Sequence, residues 1–245
     1  MLQNSIIFIA LILICYGLVI FAATKWGKEG LIGWIAVATV ISNILAASVG
    51  PMCGFNGVTL ANVTFATIFL ASQIISEFYS EADGKKAVNI GFFASITFLG
   101  IMMLSSYLTP EDYDSVTGPI NFLFGFGSYN MCNTVASVLM FYLANLVNVY
   151  VFNRIREKTG ESKLWLANNV AQILSNCTEN FAFVTLGLYI FPNAVLALFP
   201  TAFDVSNLMP FSACMQIALT TCIFEFVLSF ISTPVFYITK KIHDK

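Results

Sequence analysis

Seven long apolar stretches run along this chain, at about residues 5–24, 31–50, 57–76, 87–108, 129–152, 165–190 and 212–239. A helix needs roughly 20 mostly apolar residues to cross the hydrocarbon core of a bilayer. The pattern therefore predicts an all-α, polytopic transmembrane helix bundle of about seven spans. These spans use up most of the sequence, so 1–245 reads as a single integral membrane domain with no linker and no nucleotide-binding cassette. Two gaps, 109–128 and 191–211, are apolar and aromatic themselves. The first holds Pro119, Phe122, Phe124 and Phe126, and the second Pro192, Leu196, Phe199 and Pro200. Both are expected to lie as interfacial loops against the bilayer surface.

Polar positions inside the spans carry the candidate chemistry. Polar groups are costly in lipid, so they should face the bundle interior or a watery cavity. In the sixth span Asn169, Gln172, Asn176 and Glu179 follow 3-4-3 spacing, which places all four on one helical face. In the fifth, Thr134, Ser137, Phe141, Asn145 and Asn148 share a face. In the third, Asn62, Gln73, Glu77 and Glu81 run towards one end, and in the seventh Thr221, Glu225, Ser229 and Ser232 form another stripe. Such Asn, Ser and Thr residues also hold membrane helices together, at about 0.6–2 kcal/mol per hydrogen bond. A carboxylate at helix centre costs about 2.5–3.5 kcal/mol even on the mild insertion scale, which packing alone does not explain. Glu179 and Glu225 are thus candidate functional groups, whereas Glu77 stands at a span edge from which it can reach the interface. No basic residue lies within the spans to neutralise these acids.

Charge then supplies an orientation. All 11 Lys and Arg residues fall in alternate gaps: Lys25 and Lys28, Lys85 and Lys86, Arg154 to Lys163, and Lys240 to Lys245. The other gaps carry only acids, such as Glu111, Asp112, Asp114 and Asp204. Basic residues flanking spans stay cytoplasmic, so the N-terminus is expected outside and the C-terminus inside. A cleaved signal peptide fits the first stretch poorly, because it has no basic n-region and cleavage would leave Lys25 and Lys28 outside.

Composition narrows the function. At 58% hydrophobic and 10% charged, the chain is too apolar for a soluble domain, and its net charge of −2 reports topology rather than a nucleic-acid partner. The six cysteines form no C-x-x-C pair, and His243 in the tail is the sole His, which argues against a metal site or cofactor. No H-E-x-x-H or G-x-S-x-G motif is present, so no enzyme is expected. A retinal pigment needs a Schiff-base Lys in its last span, and 212–239 contain none.

Three ordered segments resemble the queuosine precursor transporter family, the vitamin-uptake-type transporters of 7-deazaguanine bases. They are EFYSEADGKKA from Glu77 to Ala87, VNVYVFNRIREKTGESKLWLANN ending at Asn169, and STPVFY from Ser232 to Tyr237. The second continues through Gln172, Ser175, Asn176 and Glu179. The chain departs from the family in carrying Glu at positions 77 and 179, where Asp is usual. It also has Glu225 where Lys is common, Ser232 where Asp is common, and Asn148 where Asp is frequent. The resemblance implies a six-span core, here 30–245, with 1–29 as an additional N-terminal helix and loop.

It also implies import of a queuosine precursor or related 7-deazapurine base (preQ0, preQ1 or queuine) across the cytoplasmic inner membrane. The alternative is the substrate-binding membrane subunit of an ATPase-energised vitamin importer, and either form is compatible with a homo-oligomer. A guanine-type edge presents a ring N–H beside an exocyclic amine, and one carboxylate accepts both in a bidentate, charge-assisted pair. On that basis Glu179 is expected to read the base, with Glu77 as its partner. Asn145, Asn169, Gln172, Asn176 and Glu225 complete the expected site, and Phe141, Tyr142 or Phe181 would stack on the ring.

Overall fold

The computed structural model describes residues 2–46, 48–125 and 128–243; Phe126 and Lys245, named above, lie outside the described residues. Six helical segments among these are long and apolar enough to cross a membrane. They are α1 (Leu2–Leu45), α2 (Ala61–Phe78), α3 (Glu81–Ser105), α5 (Tyr129–Thr159), the run from α6 (Leu164–Phe183) through a π-helical segment (Val184–Ile190) into α7 (Phe191–Leu198), and α8 (Phe211–His243). A short helix, α4 (Thr117–Phe124), precedes α5.

The first helix accounts for two of the seven expected spans. Gly27 leaves the helical region at φ 60° and ψ −133°, a conformation that only glycine enters without strain. The chain reverses there, and a Cβ added at Gly30 would lie 2.5 Å from the Ala22 carbonyl oxygen. Tyr16 and Val19 of the first arm pack in one core with Leu31, Ile35 and Ala38 of the second. The 44-residue helix is therefore a hairpin of two antiparallel arms.

The structure differs from the sequence-based expectation at three connections. Helix α1 ends at Leu45, and the expected ends of the second and third spans form an antiparallel β-hairpin instead, β1 (Val49–Met52) with β2 (Phe55–Thr59). Pro51 has no N–H to continue a helix, and Cys53 (φ 50°) and Gly54 (φ 86°) make the left-handed turn that a two-residue hairpin loop requires. The Asn4 amide donates to the Pro51 carbonyl at 3.1 Å, and the Ser5 hydroxyl accepts from Cys53 N–H at 2.9 Å, so the hairpin is pinned to the N-terminal arm. The gap at 109–128 is not all loop, because α4 forms within it. The Asp114 carboxylate accepts from Val116 N–H, Thr117 N–H and the Thr117 hydroxyl. Those bonds start the helix and hold the carboxyl below its usual range. The gap at 191–211 begins as α7, with Pro192 near its start, just after the π-helical segment.

Helix α2 is the axis of the bundle: 89% of its apolar window is buried, against 22% for α3, whose outer residues Phe93, Ile96, Ile101 and Leu104 are left for lipid. The turn between α2 and α3 is tight. Ser80 caps α3 by accepting from Asp83 N–H, and a Cβ on Gly84 would lie 2.1 Å from Ser76 Oγ.

All the basic turns meet at one end of the bundle. Lys28 pairs with Asp83 at 3.1 Å and Lys85 with Glu81 at 2.6 Å. Arg156 grips Glu77 with Nε at 2.7 Å and a terminal nitrogen at 2.5 Å, and Lys240 adds a third contact at 3.0 Å. The β-hairpin, α4 and the 199–210 turn form the opposite end.

Candidate functional site

A cavity of about 320 Å³ opens among α1, α2, α5, α6 and α8, on the side of the β-hairpin. That volume is at the lower end of the range of about 300–1,000 Å³ that small-molecule sites occupy. Phe65, Phe124, Tyr129, Phe183 and Val184 supply its aromatic and apolar walls, and Asn43, Asn62, Asn133, Thr134, Ser137, Asn180 and Glu179 its polar groups. The rim, with Val49, Leu123, Asn130 and Met209, belongs to the end away from the basic residues.

Each polar group is delivered by helical periodicity. Asn133 and Ser137 sit one turn apart on α5, and Ile217 and Thr221 one turn apart on α8. Glu179 is 5% exposed, and no Lys, Arg or His among the described residues lines the cavity beside it. The Asn62 amide nitrogen and the Asn133 amide oxygen are buried without a hydrogen-bond partner. Leaving such groups unpaired costs about 1–3 kcal/mol each, which a ligand carrying an acceptor and a donor would recover. Asn180 donates its amide to Glu225, which is 2% exposed on α8.

Below the cavity, the bundle is closed by a web of amides. Gln172 donates to Asn168 Oδ1 at 2.8 Å and Ser232 Oγ at 2.9 Å. Asn168 donates to Ser232 at 3.0 Å and Thr233 at 2.9 Å. Gln73 donates to Asn148 Oδ1 at 2.8 Å, and Asn148 donates to the Phe69 carbonyl and Ser72 Oγ, both at 3.1 Å. This web ties α2, α5, α6 and α8 together in the apolar core, where unmet polar groups would be expensive. Beneath it sits the Glu77–Arg156–Lys240 cluster. The cavity is thus open towards one end and sealed towards the basic end by two successive polar layers.

The structure separates the residues that the sequence stripes grouped together. Glu179 lines the cavity. Gln172 lies in the sealing web, Asn169 donates to Thr233 at 2.8 Å and to the Trp165 carbonyl, and Asn176 is buried on the same face one turn below Glu179. Glu225 stands behind Asn180. Glu77 is at the basic end in its ion cluster, apart from Glu179. Asn145 turns back on the Phe141 carbonyl at 3.0 Å and borders a different, narrow cleft with Phe141 and Tyr142, between α1, α3 and α5. Phe141 is packed between Phe65 and Phe69, Tyr142 stacks on Phe92 at 4.1 Å, and Phe181 is 37% exposed on the outside of α6. The ring of Phe183, two residues on, is the one from α6 that reaches the cavity. Asn43, Asn133, Asn180 and Phe183 escaped the sequence reading. For Asn180 a signal existed, since it lies one turn beyond Asn176.

A cavity walled by aromatic rings, with buried carboxylate and amide groups inside a membrane bundle, is the architecture of a small-molecule carrier. The family described as "putative vitamin uptake transporter" matches residues 59–239. The chain belongs to this family. The matched region starts at β2 and holds α2 to α8, and with them most of the cavity. A "probable queuosine precursor transporter" of Bacillus subtilis (strain 168) is 28% identical over 239 residues, covering 97% of this chain and 95% of that relative. No solved structure matches the chain. Membership in this family, with the apolar helices, makes the protein a multi-pass membrane transporter.

Proposed function

We propose that this protein imports a queuosine precursor or related 7-deazaguanine base across the cytoplasmic membrane, binding it in the cavity at Glu179. The observation that carries this reading is the buried Glu179 carboxylate beside two unpaired amides, Asn62 and Asn133, in a cavity walled by aromatic rings. The Glu179 carboxylate accepts the paired N–H groups of a guanine-type edge. The Asn62 amide donates to the ring carbonyl, the Asn133 oxygen accepts a further ring N–H, and Phe65 or Phe183 packs on the base face. The printed name of the Bacillus relative, a queuosine precursor transporter, supports the same class of ligand.

Orientation follows from charge. With the basic end in the cytoplasm, the cavity faces outward, and the amide web and the Glu77 cluster close the inner side. Release inward then requires those two layers to part while the cavity rim closes, an alternation of access around a central site.

Replacing Glu179 with Gln removes one acceptor and sets a donor against the ligand's donors. Hydrogen bonds to a charged group contribute about 1.5–3 kcal/mol, so affinity for a 7-deazaguanine base should fall about 10- to 150-fold. Uptake into proteoliposomes containing the purified protein alone is the assay. Normal uptake by E179Q would refute the role of Glu179, and no uptake by the wild-type protein alone would favour an importer energised by a separate ATPase.

A further inference from the structure

Two carboxylates stand at the cavity, one in its wall and one behind it. Glu179 lines it directly. On α8, Ile217 and Thr221 line it, and Glu225 continues that face one turn deeper. Asn180 joins the two: it follows Glu179 in the chain, lines the cavity and donates its amide to Glu225. Both acids are buried, 5% and 2% exposed. No Lys, Arg or His among the described residues lines the cavity. Lys28, Lys85, Arg156 and Lys240 are engaged at the far end by Asp83, Glu81 and Glu77. Cys222, which lies beside Cys177, is also close to Glu225 and brings no positive charge.

Two acids this close repel, and unless both are protonated a negative charge remains between them. A charge held in a low-dielectric interior without a counter-ion is costly. None of the described residues lining the cavity supplies a positive charge, and a cation arriving with the ligand would supply it.

We infer that the cargo is a cation: the Glu179–Asn180–Glu225 cluster selects a 7-deazaguanine whose side arm carries a protonated amine over one that ends in a neutral nitrile. This rests on the function proposed above and assigns the second acid a separate task. Glu179 reads the base edge, and Glu225 neutralises the arm. An ammonium is a donor only, so it can take the place of the Asn180 amide at Glu225 without leaving the carboxylate unpaired. A nitrile offers only its nitrogen lone pair, which a carboxylate repels.

The test is equilibrium binding of 7-aminomethyl-7-deazaguanine and 7-cyano-7-deazaguanine to the purified full-length protein in detergent at neutral pH, in the wild type and in Glu225→Gln. The amine should bind about tenfold or more tightly than the nitrile in the wild type, and this preference should collapse towards parity in E225Q. Equal or tighter binding of the nitrile to the wild type overturns the inference while leaving the proposed function standing, as does an unchanged preference in E225Q. Binding of neither base overturns the proposed function itself. Because the wild-type ratio decides the matter alone, a poorly folded E225Q does not blunt the test, and E225D, which retains the charge, should keep the preference.

Discussion

Removing Arg156 tests the seal at the basic end. In Arg156→Met, Glu77 loses its two-point partner, with nitrogens at 2.7 and 2.5 Å, and keeps only Lys240 at 3.0 Å. The side chains are 9% exposed for Glu77, 12% for Arg156 and 20% for Lys240, so water screens this cluster poorly. Breaking a buried ion pair by deleting one partner costs about 3–5 kcal/mol, because the remaining charge stays buried. The surviving Lys240 contact places this case near the low end, at about 3 kcal/mol. Removing both charges in E77Q/R156M should recover part of that loss, since the buried carboxylate is gone and Lys240, which loses its contact with it, is the most exposed of the three. Thermal unfolding in detergent, followed by intrinsic fluorescence, should rank the proteins as wild type, then the double variant, then R156M. The reasoning is refuted if R156M unfolds with the wild type, or if the double variant is no more stable than the single one. In the first case the cluster is already wet, and its three contacts contribute no more than surface pairs do.

Two further outcomes follow from the packing and the charge pattern. Gly84→Ala should destabilise by about 1–3 kcal/mol, as overpacking typically does, because the new methyl meets Ser76 Oγ at 2.1 Å and the Ser72 carbonyl at 3.2 Å. Protease resistance of the α2–α3 turn should fall in G84A and recover in part in G84A/S76A. A C-terminal fluorescent fusion should mature in the cytoplasm, and a tag ahead of Leu2 should be cleaved by protease added to intact cells; the reverse pattern would invert the proposed direction of the cavity.

Much of the bundle was legible because helical periodicity and span length are local properties. The apolar stretches count the crossings, including the two that Gly27 folds into one hairpin, and the alternation of basic gaps anticipates that Lys28, Lys85, Arg156 and Lys240 meet at one end. The connections were less legible. A stretch such as 49–59 is apolar enough to prolong two helices, and only the backbone limits at Pro51, Cys53 and Gly54 turn it into a β-hairpin.

The sequence by itself determined a membrane bundle of apolar spans, which turns are basic, and which face of each helix is polar, since all three depend on residues within a few turns of one another. It could not determine which polar faces meet a ligand and which meet each other. Glu77 looked like a partner for Glu179 until folding set it beside Arg156, 79 residues away, and Lys240, 163 away. Gln172 shares the face of Glu179, yet packing against Ser232 draws it into the sealing web. Asn62, Asn133 and Asn180 come from three helices and share one cavity only because α2, α5 and α6 cross around it. Carboxylate and amide are placed by local spacing, but their partners are chosen by contacts between helices distant in sequence, and those exist only in the packed structure.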